Sequence, residues 1–337
     1  MKRILLSLIS FIIFDLHAAA DKQPQIPNTF NGQPITPETI YDLMPPLPED
    51  DRAALDELKT LSSTKVILTQ LLAFKNFPNW RAKQMLDNTI LGAFDITNES
   101  KSNYVFKLGE MNYVVKIAGP INRLQSILMA HGYWPGQQPT TPITKVDTYQ
   151  TASRAAYFLV LKEFIERNKL KHVQAPETYL MRYPDTAKTV DDEHAFILQK
   201  TLPLSAKKIT PEVAQTLSDD IIGETVQTII AGGLWNIKNN LFLDESNNTV
   251  QFVDLEQPNN SAPADFFQRD AARYYGNLSS GLVELMDLFT GNPRKLALIR
   301  ALIESNPVFN SPDFNQRYKN ELIDALQKKA PSQEPTA

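Results

Sequence analysis

The feature that most constrains the fold of this chain is the order of its strand-like and helix-like segments between residues 104 and 253. Two apolar segments with strand character, 104–108 and 113–117, flank a turn of hairpin length. A long segment with helical spacing of apolar residues follows at 151–169, and two further strand-like segments come at 177–181 and 195–198. This order predicts an α+β protein.

The second half of the chain is predicted to be mainly helical. Thr210 before Pro211 and Ser218 before a pair of aspartates are typical helix N-caps, and Gly232-Gly233 is a typical helix end. A short hairpin is predicted at 241–243 and 250–253, followed by helices from about residue 262 to 326.

The N-terminus has the pattern of a cleavable signal peptide. Lys2 and Arg3 precede an apolar run at 4–14, and the small residues 18–20 provide a cleavage site. The run is shorter than the roughly 20 residues that span a bilayer. We therefore expect an exported protein, periplasmic or secreted, without a membrane span after cleavage.

The remaining sequence divides into segments of different character. We predict a proline-rich extended leader at 21–50, N-terminal helices at 51–90, a strand-rich lobe with one long helix at 91–202, a helical lobe with a short hairpin at 203–327, and a disordered tail at 328–337. The leader is expected either to wrap on the body or to trail from it.

Composition excludes several functional classes. The 337 residues include no cysteine, which rules out disulfides and thiolate metal sites, and the net charge of −4 argues against nucleic acid as a partner. The histidines at 131, 172 and 194 lack the paired spacing of a zinc site, and no Gly-x-Ser-x-Gly esterase elbow is present.

Three residues are candidates for a phosphate and metal site. Lys116 lies in a predicted strand between apolar neighbours, where a simple solvated lysine is the alternative. Asn240 and Asp254 lie on either side of the predicted short hairpin, whose turn would bring two oxygen ligands together. The alternative for this pair is an ordinary hairpin with an exposed aspartate.

These residues fall where a protein kinase-like fold has its functional groups. The segments 233–243 and 252–256 resemble the catalytic loop and metal-binding segment of kinases, and Asp254-Leu255-Glu256 is similar to that of choline and aminoglycoside phosphotransferases. The resemblance spans roughly residues 90 to 290 and implies two lobes, a small strand-rich one and a larger helical one.

The resemblance also implies ATP and Mg²⁺ as ligands. Lys116 would contact the phosphates, and Asn240 and Asp254 would hold the metal ion. Glu163 on the long helix would be the ion-pair partner of the lysine, with Glu166 as the alternative.

The chain departs from the family at the catalytic position. The family's catalytic aspartate lies five residues before the metal-binding asparagine, where this chain has Trp235, with Asn236 beside it. If Asn239 is aligned with the metal-binding asparagine instead, Leu234 falls at the position of the catalytic aspartate. Neither alignment supplies a carboxylate, and Leu91-Gly92 is a poor substitute for a glycine-rich phosphate loop, so transfer to an alcohol should be impaired.

Three functions remain open from the sequence. The first is an exported pseudokinase that binds a nucleotide or a protein partner, the second an active but atypical phosphotransferase, and the third an unrelated exported α+β binding protein. The sequence identifies neither a substrate, nor a protein partner, nor an oligomeric state.

Overall fold

The computed structural model describes residues 25–60, 94–98, 103–108, 111–118, 143–183, 194–253, 268–310, 319–320 and 322–325. The predicted signal peptide, the predicted helices at 61–90 and the tail from residue 328 lie outside these ranges. The described residues form eight α-helices, one 3-10 helix and thirteen strands, which confirms the mixed α+β class.

The predicted leader and the first of the predicted N-terminal helices, residues 25–60 together, contain regular elements and are called the leader from here on. These elements are β1 (Gln25–Pro27), β2 (Thr29–Phe30), β3 (Gln33–Pro34), α1 (Ile40–Leu43) and α2 (Glu49–Thr60). Asn31 and Gly32 connect β2 to β3, and both have positive φ, 51° and 76°. A hairpin with two such central residues has the type I′ geometry that Asn-Gly favours.

The next elements form a five-stranded sheet with one long helix. They are β4 (Phe94–Asn98), β5 (Asn103–Leu108), β6 (Tyr113–Ala118), α3 (Ile143–Arg167), β7 (Val173–Gln174), β8 (Thr178–Tyr183) and β9 (His194–Lys200). The sheet has the order β4-β5-β6-β9-β8, and every neighbouring pair is antiparallel. The long helix α3 therefore enters the sequence between the third strand and the two strands that complete the sheet.

Helix α3 covers one face of this sheet. Ile197 of β9 and Leu180 of β8 are cross-strand partners and share a buried cluster with the α3 alanines at 152, 155 and 156. Alanine side chains are short, so the helix can lie close to the sheet and to the leader. Ile40 and Tyr41 of the leader belong to the same cluster, which places α1 on this side.

The leader also reaches the opposite face of the sheet. The Tyr113 hydroxyl on β6 donates a 2.7 Å hydrogen bond to Asp51 of α2, and the Tyr113 ring packs edge-on against Tyr179 of β8. Burial, with a smaller contribution from the hydrogen bond to Asp51, raises the pKa of Tyr113 far above its ordinary value. The leader thus wraps around the edge strand β8, with α1 on one side and α2 on the other.

The second half of the chain is largely helical. Its elements are β10 (Ala206–Lys208), α4 (Pro211–Ala214), α5 (Asp219–Gly232), α6 (Ile237–Asn240), β11 (Leu241–Asp244), β12 (Thr249–Phe252), β13 (Gln268–Asp270), α7 (Ala271–Leu288), α8 (Pro293–Ser305) and the 3-10 helix Pro307–Asn310. A four-stranded sheet has the order β10-β11-β12-β7, and β1 of the leader pairs with β13.

Helix α5 is the centre of the larger core. Ser218 caps its start by accepting from the Ile221 N–H, and Gly233 ends it with a φ of 60°. The buried apolar side chains of α5 pack with those of α7 and α8, and Tyr157 and Leu161 of α3 join the same cluster. Helix α3 therefore lies between the two cores of the molecule.

Candidate functional site

The loop between α5 and β11, residues 233–240, is held firmly by its neighbours. Helix α7 approaches it so closely at Gly281 that a β-carbon there would lie 1.9 Å from the Leu234 carbonyl oxygen. Leu234 and Ile237 are both buried. Close packing against α7 is thus one of the contacts that position the backbone of this loop.

Two tyrosines anchor the start of the loop. Tyr157 of α3 donates its hydroxyl to the Gly232 carbonyl, and Tyr274 of α7 donates to the Ile230 carbonyl. These carbonyls lie in the last turn of α5, where carbonyls lack a full set of helical partners; the Ile230 carbonyl also accepts the Gly233 N–H at 3.4 Å. A β-carbon on Gly232 would lie 2.6 Å from the Tyr157 hydroxyl, so glycine is required for this contact.

A short polar network organises the middle of the loop. Asn236 has a left-handed backbone, with φ 57° and ψ 37°, and its Oδ1 accepts from the Asn239 side chain at 2.7 Å. Asn239 in turn accepts from the Lys208 ammonium at 3.0 Å. Through these two bonds the Asn239 side chain has a structural role in the loop. The Lys238 N–H donates to Glu284, and the Lys238 ammonium forms an ion pair with Asp287, which ties the loop to α7.

The side chain at the predicted catalytic position points to solvent. Trp235 is 41 % exposed, and Leu234, the residue at that position in the alternative alignment, is only 3 % exposed. The indole has no proton-accepting oxygen, and the Asn236 amide oxygen is already bonded to Asn239. Neither residue provides a general base.

The hairpin of β11 and β12 brings Asn240 next to the segment that precedes Asp254. Leu241 pairs with Phe252, and beyond this pair the Val253 N–H donates to the Asn240 carbonyl at 2.9 Å. This bond uses the Asn240 backbone, and in the described part of the chain the side-chain amide has no hydrogen-bond partner. Asp254 itself lies outside the described residues.

Lys116 lies on the sheet face that α3 covers. It is the cross-strand partner of Ile197, which in turn pairs with Leu180, and partners in one row project to the same face. The side chain is partly buried.

Glu163, predicted as the partner of Lys116, contacts the leader in this structure. Its Oε2 accepts the Asn31 N–H of the leader turn at 2.9 Å. The alternative, Glu166, is exposed and lies 3.9 Å from Lys162 one turn earlier. The Asn31-Gly32 dipeptide is a hairpin signal in the sequence, but nothing in the sequence identifies Glu163 as its partner.

A buried carboxylate that the sequence did not single out lies at the closed end of the hairpin. Asp244 accepts hydrogen bonds from the hydroxyls of Ser205 and Ser246 at 2.6 and 2.7 Å and from the Asn247 amide at 2.8 Å. These donors, Ser205 first, lower the pKa of Asp244 to about 2. The carboxylate stabilises the turn and is saturated by protein donors.

The described residues contain no group of three or more histidine, aspartate or glutamate side chains that could hold a metal ion. Among the same residues, no helix combines the length and the apolar character needed to cross a membrane.

Comparison with known proteins returned no match: no protein-family model fits the sequence, and no curated protein is recognisably similar to it.

Proposed function

We propose that this chain is an exported, kinase-like protein that binds a magnesium nucleotide and transfers phosphate weakly or not at all. The observation that carries the proposal is the hydrogen bond between the Val253 N–H and the Asn240 carbonyl, at 2.9 Å. It brings the residue before Asp254 into contact with the predicted metal-binding asparagine. An amide oxygen and a carboxylate are suitable magnesium ligands.

The arrangement of the strands supports the same proposal. The kinase-like class has a small antiparallel sheet whose third strand carries the phosphate-contacting lysine, and a long helix separates that strand from the next two. In this chain β6 with Lys116 is the third strand, and α3 precedes β8 and β9. Lys116 also lies on the face that α3 covers.

The residues present suit binding better than transfer. A bound magnesium ion would neutralise phosphate charge, with Asn240 and Asp254 as its protein ligands. Lys116 would add a positive charge to the phosphates. Because Trp235 and Asn236 cannot accept the proton of an alcohol, the predicted catalytic position lacks a general base. Outside the cytoplasm ATP is scarce, which also favours a binding role.

Thermal unfolding with ATP and MgCl₂ tests the proposal. A ligand at about 100 times its Kd stabilises the folded state by about 2.7 kcal/mol, which raises the Tm of a protein this large by a few degrees. Asp254→Ala and Asn240→Ala should each abolish the magnesium-dependent shift.

Asn239→Ala is the matched control, because the Asn239 side chain is bonded to Lys208 and Asn236. It should lower the Tm slightly but keep the shift. A shift that survives Asp254→Ala would remove Asp254 as a ligand. No shift in the parent protein would favour an unrelated binding protein, and phosphate transfer by the parent would favour an active atypical phosphotransferase.

A further inference from the structure

The leader hairpin holds helix α3 through a specific contact. The Asn31 N–H, in the type I′ turn between β2 and β3, donates to Glu163 at 2.9 Å. A carboxylate bound to a backbone N–H forms a charge-assisted hydrogen bond, which is stronger than a neutral one. Asn31 lies between the paired residues of β2 and β3, so this contact ties the turn itself to α3.

Two further contacts fix the leader on both faces of the sheet. The Arg182 guanidinium lies 4.3 Å from the centre of the Tyr41 ring, and Asp51 accepts the Tyr113 hydroxyl at 2.7 Å. Ile35 and Ile40 of the leader are buried in the cluster that contains the α3 alanines. The leader is thus an integral part of the packing around α3.

The same helix reaches the candidate site from its other side. Tyr157 lies six residues before Glu163, about 9 Å along the helix axis at 1.5 Å per residue. It is fully buried and bonds the Gly232 carbonyl at the start of loop 233–240. A rigid helix therefore connects the leader turn to the loop through two hydrogen bonds.

We propose that docking of the leader hairpin on α3 controls the order of loop 233–240 through Tyr157. When the hairpin is docked, α3 is held in the position at which Tyr157 reaches Gly232. When the hairpin leaves, α3 loses that restraint, the tyrosine contact weakens and the loop exchanges its backbone hydrogen bonds more often. This coupling does not depend on nucleotide binding, and it makes the leader a built-in regulator of the candidate site.

Hydrogen–deuterium exchange of the full chain tests this proposal at two sets of amides. The Ile35 and Ile40 amides bond Asn28 and Thr36 and report on the leader. The Leu234 and Asn239 amides bond Ile229 and Asn236 and report on the loop. Glu163→Ala should raise exchange at least about threefold at both sets, because the hydrogen bond to a charged group is lost.

Two variants of matched position serve as controls. Glu163→Gln keeps an acceptor for the Asn31 N–H and should raise exchange less at both sets. Glu166→Ala removes an exposed carboxylate of the same helix that lies near Lys162. It should change exchange at neither set of amides. Tyr157→Phe should raise exchange in the loop, and adding Glu163→Ala to it should raise loop exchange no further.

Faster exchange in the leader with no change in the loop would overturn the coupling and leave the leader a passive cover. No change in the leader would show that Glu163 does not hold it. Additive effects of Tyr157→Phe and Glu163→Ala in the loop would show that the two contacts act independently, which also contradicts the proposal.

Discussion

Asp244 is fully buried at the turn of the β11–β12 hairpin. At the other end of this hairpin, Val253 is hydrogen-bonded to Asn240. The Asp244 oxygens accept from two serine hydroxyls, a backbone N–H and an asparagine amide. Because these hydrogen bonds stabilise the ionised carboxylate, they lower the pKa of Asp244 from 3.8 to about 2. One side chain therefore sets the geometry of the turn.

Asp244→Ala should lower the free energy of unfolding by about 1–3 kcal/mol, since several hydrogen bonds to a buried, charged acceptor are lost. The same change at the neighbouring Glu245, an exposed residue paired with Lys207, should cost at most about 1 kcal/mol. In the parent protein the contribution of Asp244 is complete above its unfolded pKa of 3.8 and is lost as the pH falls toward about 2. Denaturant unfolding between pH 5 and pH 2 measures this, and an Asp244→Ala variant with the pH dependence of the parent would contradict it.

In the proposed kinase-like site, Trp235 is the residue aligned with the catalytic aspartate. If the absent base is what limits transfer, Trp235→Asp should raise ATP-dependent phosphate transfer to a generic hydroxyl acceptor at least about tenfold, since a positioned base contributes 10²- to 10⁴-fold. Asn236→Asp is the control: its left-handed backbone tolerates aspartate, but its side chain is directed to Asn239. Equal transfer rates in both variants and the parent would place the deficiency elsewhere.

At the scale of elements, two of the three glycines in helix α5 and its C-cap have opposite environments. A β-carbon added to Gly223 would have nothing within 4 Å, whereas a β-carbon on Gly233 would lie 2.4 Å from the Tyr274 ring, at a φ of 60°. Gly223→Ala should therefore stabilise the protein by about 0.5–1 kcal/mol, because alanine favours the helix. Gly233→Ala should destabilise it by more than about 1 kcal/mol through left-handed strain and the clash. Thermal denaturation of the pair checks the signs, and a Gly233→Ala variant more stable than the parent would contradict the packing.

Most regular elements could be predicted from local patterns. The N-caps at Thr210 and Ser218 are confirmed, with Val213 and Ile221 as their N–H partners. The strands predicted at 104–108 and 113–117 are found at Asn103–Leu108 and Tyr113–Ala118. Helix α3 begins at Ile143, eight residues before the predicted start, because β-branched residues weaken the helical signal there. The very short strands β7, β10 and β13 lack a sequence pattern of their own and form by pairing with distant segments.

The candidate site was less accessible to sequence reasoning. Its local motif, the loop before a hairpin, was found because turn residues and apolar strands are read locally. The side chains that hold the loop, Tyr157 and Tyr274, lie on other helices. The contact of Glu163 with Asn31 spans 132 residues, so no spacing rule could have predicted it.

At the scale of the whole molecule, the leader joins parts of the chain that are far apart in sequence. It contacts α3, both faces of the five-stranded sheet and, through β1, the strand that precedes α7. The described leader begins at Gln25, close after the cleavage site predicted at Ala20.

The signal-peptide pattern predicts the N-terminal residue of the mature chain. Protein produced in an exporting host should begin at or near Asp21, because small residues at 18–20 precede that position and suit a signal peptidase. N-terminal sequencing of protein recovered outside the cytoplasm measures this. Recovery of a chain that still begins with Met1 would contradict cleavage.

The pairing of β1 with β13 has a consequence for the order of folding. Gln25 and Asp270 are 245 residues apart, so this pairing closes a very long loop and must await the synthesis of most of the chain. The segment that an export pathway would deliver first is thus the one whose native partner arrives late. If the chain is exported unfolded, as the signal-peptide pattern predicts, its N-terminal strand would stay unpaired during translocation, and its docking is expected among the last steps of folding.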